Sequence, residues 1–426
     1  MTAFLEKRRK IAIIGTGISG LGIAYLLYPH HTIKIYEQND YIGGHSRTID
    51  VDTPDGKVAV DTGFIVFNKR NYPLLSSFFD YLNVPVEKSD MSFGVSINNG
   101  WLEYGTMDLK NIFVQKSNIF NLKFLEMIKD ILKFNKNAHS YLECDPDLTL
   151  GECLNKLQLG QWFQKYYLLA MGGAIWSTPI SSMLEFPAKT FIRFFENHGL
   201  LTINNHPEWQ TVKNGSREYV KILTKKFSHD ILLRCGVTKV FRNEDGVVLY
   251  DAKGDIQKYD EVIFACHPEQ CLKIIQNPSE KELSILSSFV FHPNRMVLHS
   301  DTSFMPRRKG AWASWVYLSD NQDDHNSHIS LSYWMNNLQP LKTHTPIIAT
   351  LNPTREPLKN LIYNEHWFEH PVFDAKAIKS QEKIKDIQGK NRFWFCGAYQ
   401  RYGFHEDGLW SAVNVAEKMG IKPSWI

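Results

Sequence analysis

Gly15, Gly17 and Gly20 stand in the order G-x-G-x-x-G, and Glu37 follows the last of them by 17 residues. Each glycine answers a different need of a phosphate cradle: Gly15 a tight turn, Gly17 close approach of pyrophosphate to backbone, Gly20 close packing of helix on strand. The N–H groups of Ile18 and Ser19 at the helix start, with its dipole, would hold phosphate charge. Glu37 would accept the hydroxyls of an adenosine ribose, and an acid there favours a ribose without a 2′-phosphate. The chemistry of this set is dinucleotide binding. A second concentration of reactive types, Gly403-Phe404-His405-Glu406-Asp407-Gly408, lies near the other end. His405 is its proton-transfer candidate, whereas Asp407 is equally a residue type that caps a helix. His366 and His370 are four apart, which would put them on one helix face. They lack the H-E-x-x-H order and Pro371 follows, so no metal site is expected. No G-x-S-x-G, no P-loop lysine motif and no second glycine-rich βα unit occurs, which removes the footing for acyl-serine hydrolysis, nucleotide hydrolysis and a dedicated NAD(P)H domain.

The elements that must position these residues can be read from periodicity. Lys10 to Ile14 is a short apolar strand, the helix runs from about Leu21 to Leu27, and Thr32 to Tyr36 is the next strand, ending at Glu37. Asn391 to Ala398 reads as a strand entering Gly397, and Gly408 to Ala416 as a small-residue helix. Arg234 to Phe241, the turn Glu244-Asp245-Gly246 and Val247 to Tyr250 read as a β-meander leading to the apolar strand Tyr259 to Cys266. Ala311 to Leu318 and Ser327 to Met335 alternate as strands do, and their Trp312, Trp315 and Trp334 would either floor an apolar pocket or pack a sheet against a helix. Arg307-Arg308-Lys309 before them would meet a carboxylate or phosphate headgroup, or form an exposed loop.

The chain has 426 residues, 43% apolar and 22% charged, enough for a large core and unlike a disordered or fibrous sequence. A formal charge of +3 gives no argument for a nucleic-acid partner. Six cysteines without a C-x-x-C pair read as reduced cytosolic thiols. No secretion signal is expected at the N-terminus and no run is apolar for long enough to span a bilayer, so the expected location is cytoplasmic. Residues 110–136 carry six lysines against Glu126 and Asp130, with Leu125, Ile128, Ile131 and Leu132 at helical spacing near Phe124 and Phe134. That segment is either a helix with one solvated face or a helix that lies on an anionic membrane, the inner membrane in this setting.

Glu37 leads to Tyr41-Ile42-Gly43-Gly44-His45-Ser46-Arg47-Thr48, and here the sequence resembles the flavin amine oxidase, protoporphyrinogen oxidase and phytoene desaturase superfamily. The resemblance implies FAD, with Gly43 and Gly44 beside its pyrophosphate. His45 stands where that superfamily usually has an arginine, so neutralisation of phosphate would pass to Arg47. Val60-Asp61-Thr62-Gly63-Phe64 looks like the superfamily's turn toward the flavin, and reads equally as a hairpin turn. By the same resemblance the backbone of Val237 touches the adenine and Gly397 meets the pyrophosphate or ribityl chain. The helix start at Asp407, Gly408 and Leu409 would face the flavin's pyrimidine end.

The implied fold is α/β, with α+β in the substrate part: an FAD domain from 1–72, 208–280 and 386–426, and a substrate domain from 73–207 and 281–385. Across most of its length the chain is similar to bacterial FAD-dependent oxidoreductases associated with cyclopropane fatty-acid synthase-like methyltransferases. That implies desaturation or double-bond isomerisation of fatty acyl chains, a phospholipid or other hydrophobic substrate, and a methyltransferase partner. His405 is then the leading base, with Tyr399 and Tyr402 in the same loop. FAD would be held without a covalent bond, since Cys396 shows no thioether signature. Amine oxidation is the rival enzyme reading, although Phe291 to Met296, where a catalytic lysine often sits, contains none. A flavin-bound scaffold for a methyltransferase is the non-catalytic one.

Overall fold

Ile11 and Ile13 face one hydrophobic cluster and Ala12 and Ile14 another, so the first strand, Lys10–Ile14, is covered on both sides. Such a strand must be apolar throughout, which explains its sequence. It is the centre of a five-stranded parallel sheet in the computed structural model, which describes residues 8–143, 148–176, 183–197, 200–201, 207–319 and 330–426. The readings attached to Cys144, to the first seven residues and to the start of the run from Ser327 lie outside the described residues. The strands lie in the order Ile231–Leu232, Thr32–Tyr36, Lys10–Ile14, Glu261–Phe264, Phe393–Phe395, all parallel. In chain order that is 3-2-1-4-5, the doubly wound arrangement whose ligand crevice opens at the carboxyl ends of the central strands.

One face of this sheet carries the helix Ile18–Leu27 and the closing helix His405–Lys418, packed closely together. The other carries the meander Val237–Asn243, Gly246–Asp251 and Ile256–Tyr259.

A second sheet has seven strands in the order Ile362–Pro371, Phe291–His299, Ile348–Leu351, Ser330–Trp334, Trp315–Ser319, Phe93–Ile97, Leu102–Gly105. Its pairings are antiparallel except for Trp315–Ser319 beside Phe93–Ile97. The largest apolar cluster covers it, with helix Leu122–Asn137 contributing Phe124, Met127 and Phe134. Phe404 packs against both this cluster and that of the parallel sheet.

Several expectations are corrected by this arrangement. The segmentation at 72 and 280 divides packed units: helix Pro73–Leu82 buries Leu75, Phe78 and Phe79 with the parallel-sheet helices, and Ile285, Leu286, Phe289, Ala377, Ile384 and Ile387 pack beneath the same sheet. His366 and His370 lie on a strand, not a helix, where an even spacing again puts them on one face. Of the basic segment, 122–137 is one helix; Leu109–Ile112 and Lys116–Phe120 are short turns before it. The three tryptophans do not share a wall. Trp315 pairs with Tyr333 on the main-core side, ring centroids 4.8 Å apart, while Trp312 and Trp334 meet at 5.4 Å on the other side with Met305, Val316 and Ile348.

Candidate functional site

The glycine loop sits at the carboxyl end of the central strand. Gly15 has φ +106°, and a Cβ there would stand 2.6 Å from the Ala265 carbonyl oxygen, so the turn admits only glycine. A Cβ on Gly20 would overlap the Gly15 carbonyl oxygen at 2.0 Å. Gly17 differs, since a Cβ there would meet no protein atom within 4 Å. The space over Gly17 is thus left open by the protein, at the N-cap of helix Ile18–Leu27, where N–H groups await an acceptor. Gly44, at φ +59°, rests on it: its Cβ would lie 3.0 Å from Gly17 Cα.

Glu37 is buried, yet its oxygens are well supplied. Oε2 accepts from the N–H and hydroxyl of Thr16 (3.1 and 2.6 Å), and Oε1 accepts, among the described residues, only the N–H of Asn39 (2.8 Å). Oε1 therefore keeps capacity for a hydroxyl donor. The N–H of Cys235 donates to the Glu37 carbonyl at 2.8 Å, and Gly236 packs on Gln38, which brings Val237 beside the same acid. From the other direction the closing helix starts against the first: a Cβ on Gly408 would meet Ile18 Cγ2 at 2.7 Å and Ser19 Oγ at 3.0 Å, and a Cβ on Gly22 would meet Leu409 Cδ1 at 2.9 Å. Gly397 N–H donates to Ser411 Oγ at 2.8 Å, fixing the last turn to that helix. Two helix N-termini, an open glycine and a buried carboxylate are the fittings of a dinucleotide site.

Beyond Gly44 stands a wall of imidazoles. The His45 ring lies 5.0 Å from Phe368 and 5.5 Å from His370, and His366 lies 4.6 Å from Phe368. His45 keeps some accessible surface although protein surrounds it, as a residue lining an internal space does. Desolvation first, and the neighbouring imidazoles after it, hold its pKa well below the ordinary value. Burial lowers His370 to about 4 and, with Arg47 adding repulsion, lowers His366 too. These rings are neutral at pH 7.

Backbone groups assign the tautomer of His370. Arg295 N–H donates to Asn352 Oδ1 (2.9 Å), so Asn352 Nδ2 donates to Asn294 Oδ1 (2.7 Å). Asn294 Nδ2 then donates to the His292 carbonyl and to His370 Nδ1, both at 3.1 Å. His370 accordingly carries its proton on Nε2.

A family model for an NAD(P)-binding Rossmann-like domain matches residues 13–82. No curated protein matches the chain. Among solved structures, a CLA-producing fatty acid isomerase from P. acnes superposes with a TM-score of 0.67 at 14% identity, covering 99% of this chain and 100% of that one. A putative protoporphyrinogen oxidase from Exiguobacterium sp. gives 0.67 at 13%, covering 98% and 99%. Cyclohexylamine oxidase from Brevibacterium oxydans gives 0.65 at 13%, covering 97% and 100%. The chain shares the fold of these three proteins.

Within that fold Gly15, Gly17, Ile18, Ser19, Gly20, Glu37, Gly43, Gly44, Val237, Gly397, Gly408 and Leu409 lie on segments that contact one another around the start of helix Ile18–Leu27. Thr62 and Gly63 follow the open end of the hairpin Thr48–Thr53/Gly56–Asp61, whose own turn is at 54–55, and Gly63 packs on His45, its Cβ position only 2.2 Å from the His45 carbonyl oxygen. Val60 to Phe64 is therefore not a hairpin turn; it carries the chain from the second strand past the imidazole wall. Arg47 donates to Thr62 Oγ1 (3.2 Å) and Asn364 Oδ1 (3.0 Å), which ties its guanidinium to the seven-stranded sheet. Asp407 caps its own helix by accepting the Phe404 N–H at 2.9 Å; burial raises it to about 6.

The catalytic expectations change most. His405 is buried, stacked on Phe64 with ring centroids 3.7 Å apart, and its Nε2 is shared by Tyr219 Oη (2.8 Å) and Ser46 Oγ (3.0 Å). Burial lowers it to about 3, and its Nε2 is already engaged by these two hydroxyls. Tyr399 lies in the core under the parallel sheet, and burial pushes its hydroxyl well above the usual range. Tyr402 faces solvent, 37% exposed, beside Arg401. Neither reaches the imidazole wall. Trp312, Trp315 and Trp334 are split across the second sheet, as described. Cys396 is fully buried with Sγ toward the Ser411 carbonyl. Sequence reasoning missed the Asn352–Asn294–His370 chain and the Ser46–Tyr219–His405 cluster. Strand alternation around Phe368 was the available signal for the first. The second has none.

Proposed function

We propose that the chain is an FAD-dependent oxidoreductase that acts on an uncharged hydrophobic chain, by desaturation or double-bond isomerisation of a fatty acyl group. The observation that carries this reading is the neutral wall of His45, His366, Phe368 and His370 beside Gly44. The open crevice at Gly17 and the free capacity of Glu37 fit the phosphates and ribose of FAD. When bound, FAD supplies a two-electron centre that takes a hydride and can return it. Desaturation removes a hydride and a proton from adjacent carbons; isomerisation returns both, with the double bond moved and no net electron loss.

The chain must therefore supply apolar walls, exclude water and accommodate a proton. His45 is the imidazole assigned to the proton, because its ring nitrogens have no hydrogen-bond partner among the described residues. His370, whose ring lies 5.5 Å from it, carries its proton on Nε2. An ammonium substrate would meet Arg47 near this wall and no lysine in Phe291–Met296, which favours the acyl reading over amine oxidation. The test is anaerobic mixing of the flavin-loaded protein with unsaturated fatty acids, mid-chain-methylated fatty acids and, separately, alkylamines, followed by flavin absorbance and lipid product analysis. Acyl products with or without bleaching support the reading. Bleaching by amines alone, or no acyl product at all, overturns it.

A further inference from the structure

Helix Leu122–Asn137 turns Phe124, Met127 and Phe134 inward. Its opposite side carries Leu122, Leu125 and Leu132, which are 80%, 38% and 49% exposed. At about 3.6 residues per turn, positions 122, 125, 129, 132 and 136 form one stripe, so Lys129 and Lys136 interleave with the leucines. Phe120, at the turn into the helix, is 86% exposed. Core packing does not account for this apolar surface, since the buried face lies on the far side of the helix.

The charge on this face is one-sided. Asp130 is buried and accepts the Gly160 N–H at 2.7 Å, leaving Glu126 as the outward acid against six lysines between 110 and 136. Among the described residues no carboxylate lies within ion-pair distance of Lys123, Lys129 or Lys136. Exposed leucine and phenylalanine interleaved with unpaired lysine are complementary to a surface that is apolar beneath and anionic above. We infer that this face docks on an anionic phospholipid bilayer, with Phe120 and the leucines entering the headgroup–acyl boundary and the lysines meeting lipid phosphates. The inference rests on the surface and not on the catalytic reading, so either can fail alone.

The test is co-sedimentation of the full chain with vesicles of phosphatidylcholine alone and of phosphatidylcholine with phosphatidylglycerol, at low and high salt. Binding is expected only with phosphatidylglycerol, and salt should weaken it. Lys123→Glu, Lys129→Glu and Lys136→Glu together should lower the partition coefficient about a hundredfold or more. Phe120→Ser with Leu122→Ser should abolish binding that resists salt. These side chains are exposed, so unchanged thermal melting verifies that each variant folds. Absence of binding to anionic vesicles, or binding unaffected by both sets of substitutions, overturns the inference. So does concentration-dependent self-association that Phe120→Ser removes in place of vesicle binding, because the face would then join copies of the chain.

Discussion

Gly17 and Gly20 are three residues apart and their substitutions should fail in opposite ways. Alanine at 17 has room in the protein and an ordinary extended-to-helix backbone, with φ −65°, but its methyl group would occupy the space kept for phosphate. Gly17→Ala should leave the melting of the cofactor-free chain unchanged and weaken FAD by about tenfold or more in a fluorescence titration. Gly20→Ala should cost more than about 2 kcal/mol with or without FAD, because its methyl group strikes a backbone oxygen that cannot move aside. Equal effects at both positions would contradict the assignment of the open space.

The buried imidazoles make a pH prediction at the same scale. His405 at about 3, His370 at about 4 and His299 at about 4 all titrate below the unfolded value near 6.5, so between these limits the unfolded chain binds more protons. Stability is full above pH 6.5 and falls as the pH drops toward 3. Asp61 and Asp407, each raised to about 6, work the other way between pH 6 and 4, because there the folded chain holds the extra protons. The imidazole shifts are larger and more numerous. Calorimetry should show the melting temperature decline below pH 6.5, with a shallower slope in His405→Phe, which keeps the Ser46–Tyr219 hydrogen bond. A flat profile would contradict the burial of these three imidazoles in neutral form.

Among the elements, two helices are joined by one carboxylate. Glu406, in the first turn of the closing helix, accepts the N–H groups of Leu74 (2.9 Å) and Leu75 (2.8 Å) at the start of helix Pro73–Leu82. That helix has no side-chain cap of its own at Tyr72, so a residue more than three hundred positions away serves as one. Glu406→Ala should cost about 1–2 kcal/mol in urea unfolding, and Glu406→Gln less, since an amide oxygen still accepts one N–H.

The same bond marks where legibility in the sequence ends. Gly15 to Glu37 was readable because strand, turn, helix and acid are consecutive, and local chemistry dictates each step. The closing helix was readable from its glycine and small residues. His405 was not, because its partners Ser46, Phe64 and Tyr219 come from three other elements, and a loop histidine carries no mark of how deeply it will be buried. The tryptophans failed for a different reason. Their alternation correctly gave strands, but residue parity within each strand sent Trp315 to one face and Trp334 to the other.

At the scale of the molecule, the crevice proposed for the cofactor draws on segments near 15–63, 235–237 and 397–409, so no continuous stretch contains it. The two sheets are tied as well. Phe404 packs into both clusters, and Gln339 of the second body donates to Asp61 Oδ2 (2.8 Å) while its oxygen accepts the Asp61 N–H (2.7 Å). Asp61 in turn accepts the Ser216 N–H and hydroxyl, which anchors helix Arg217–Thr224 to the same point. A ligand held by three such segments stabilises all that must fold to bring them together. FAD at a hundred times its dissociation constant should therefore add about 2.7 kcal/mol to a single unfolding transition of the whole chain. Scanning calorimetry of the cofactor-free and reconstituted protein reads this directly. One peak moving upward with FAD concentration is the expected result. Two peaks, with only one moving, would mean that Phe404 and the Asp61–Gln339 pair do not couple the sheets, and that the seven-stranded body folds without regard to the crevice.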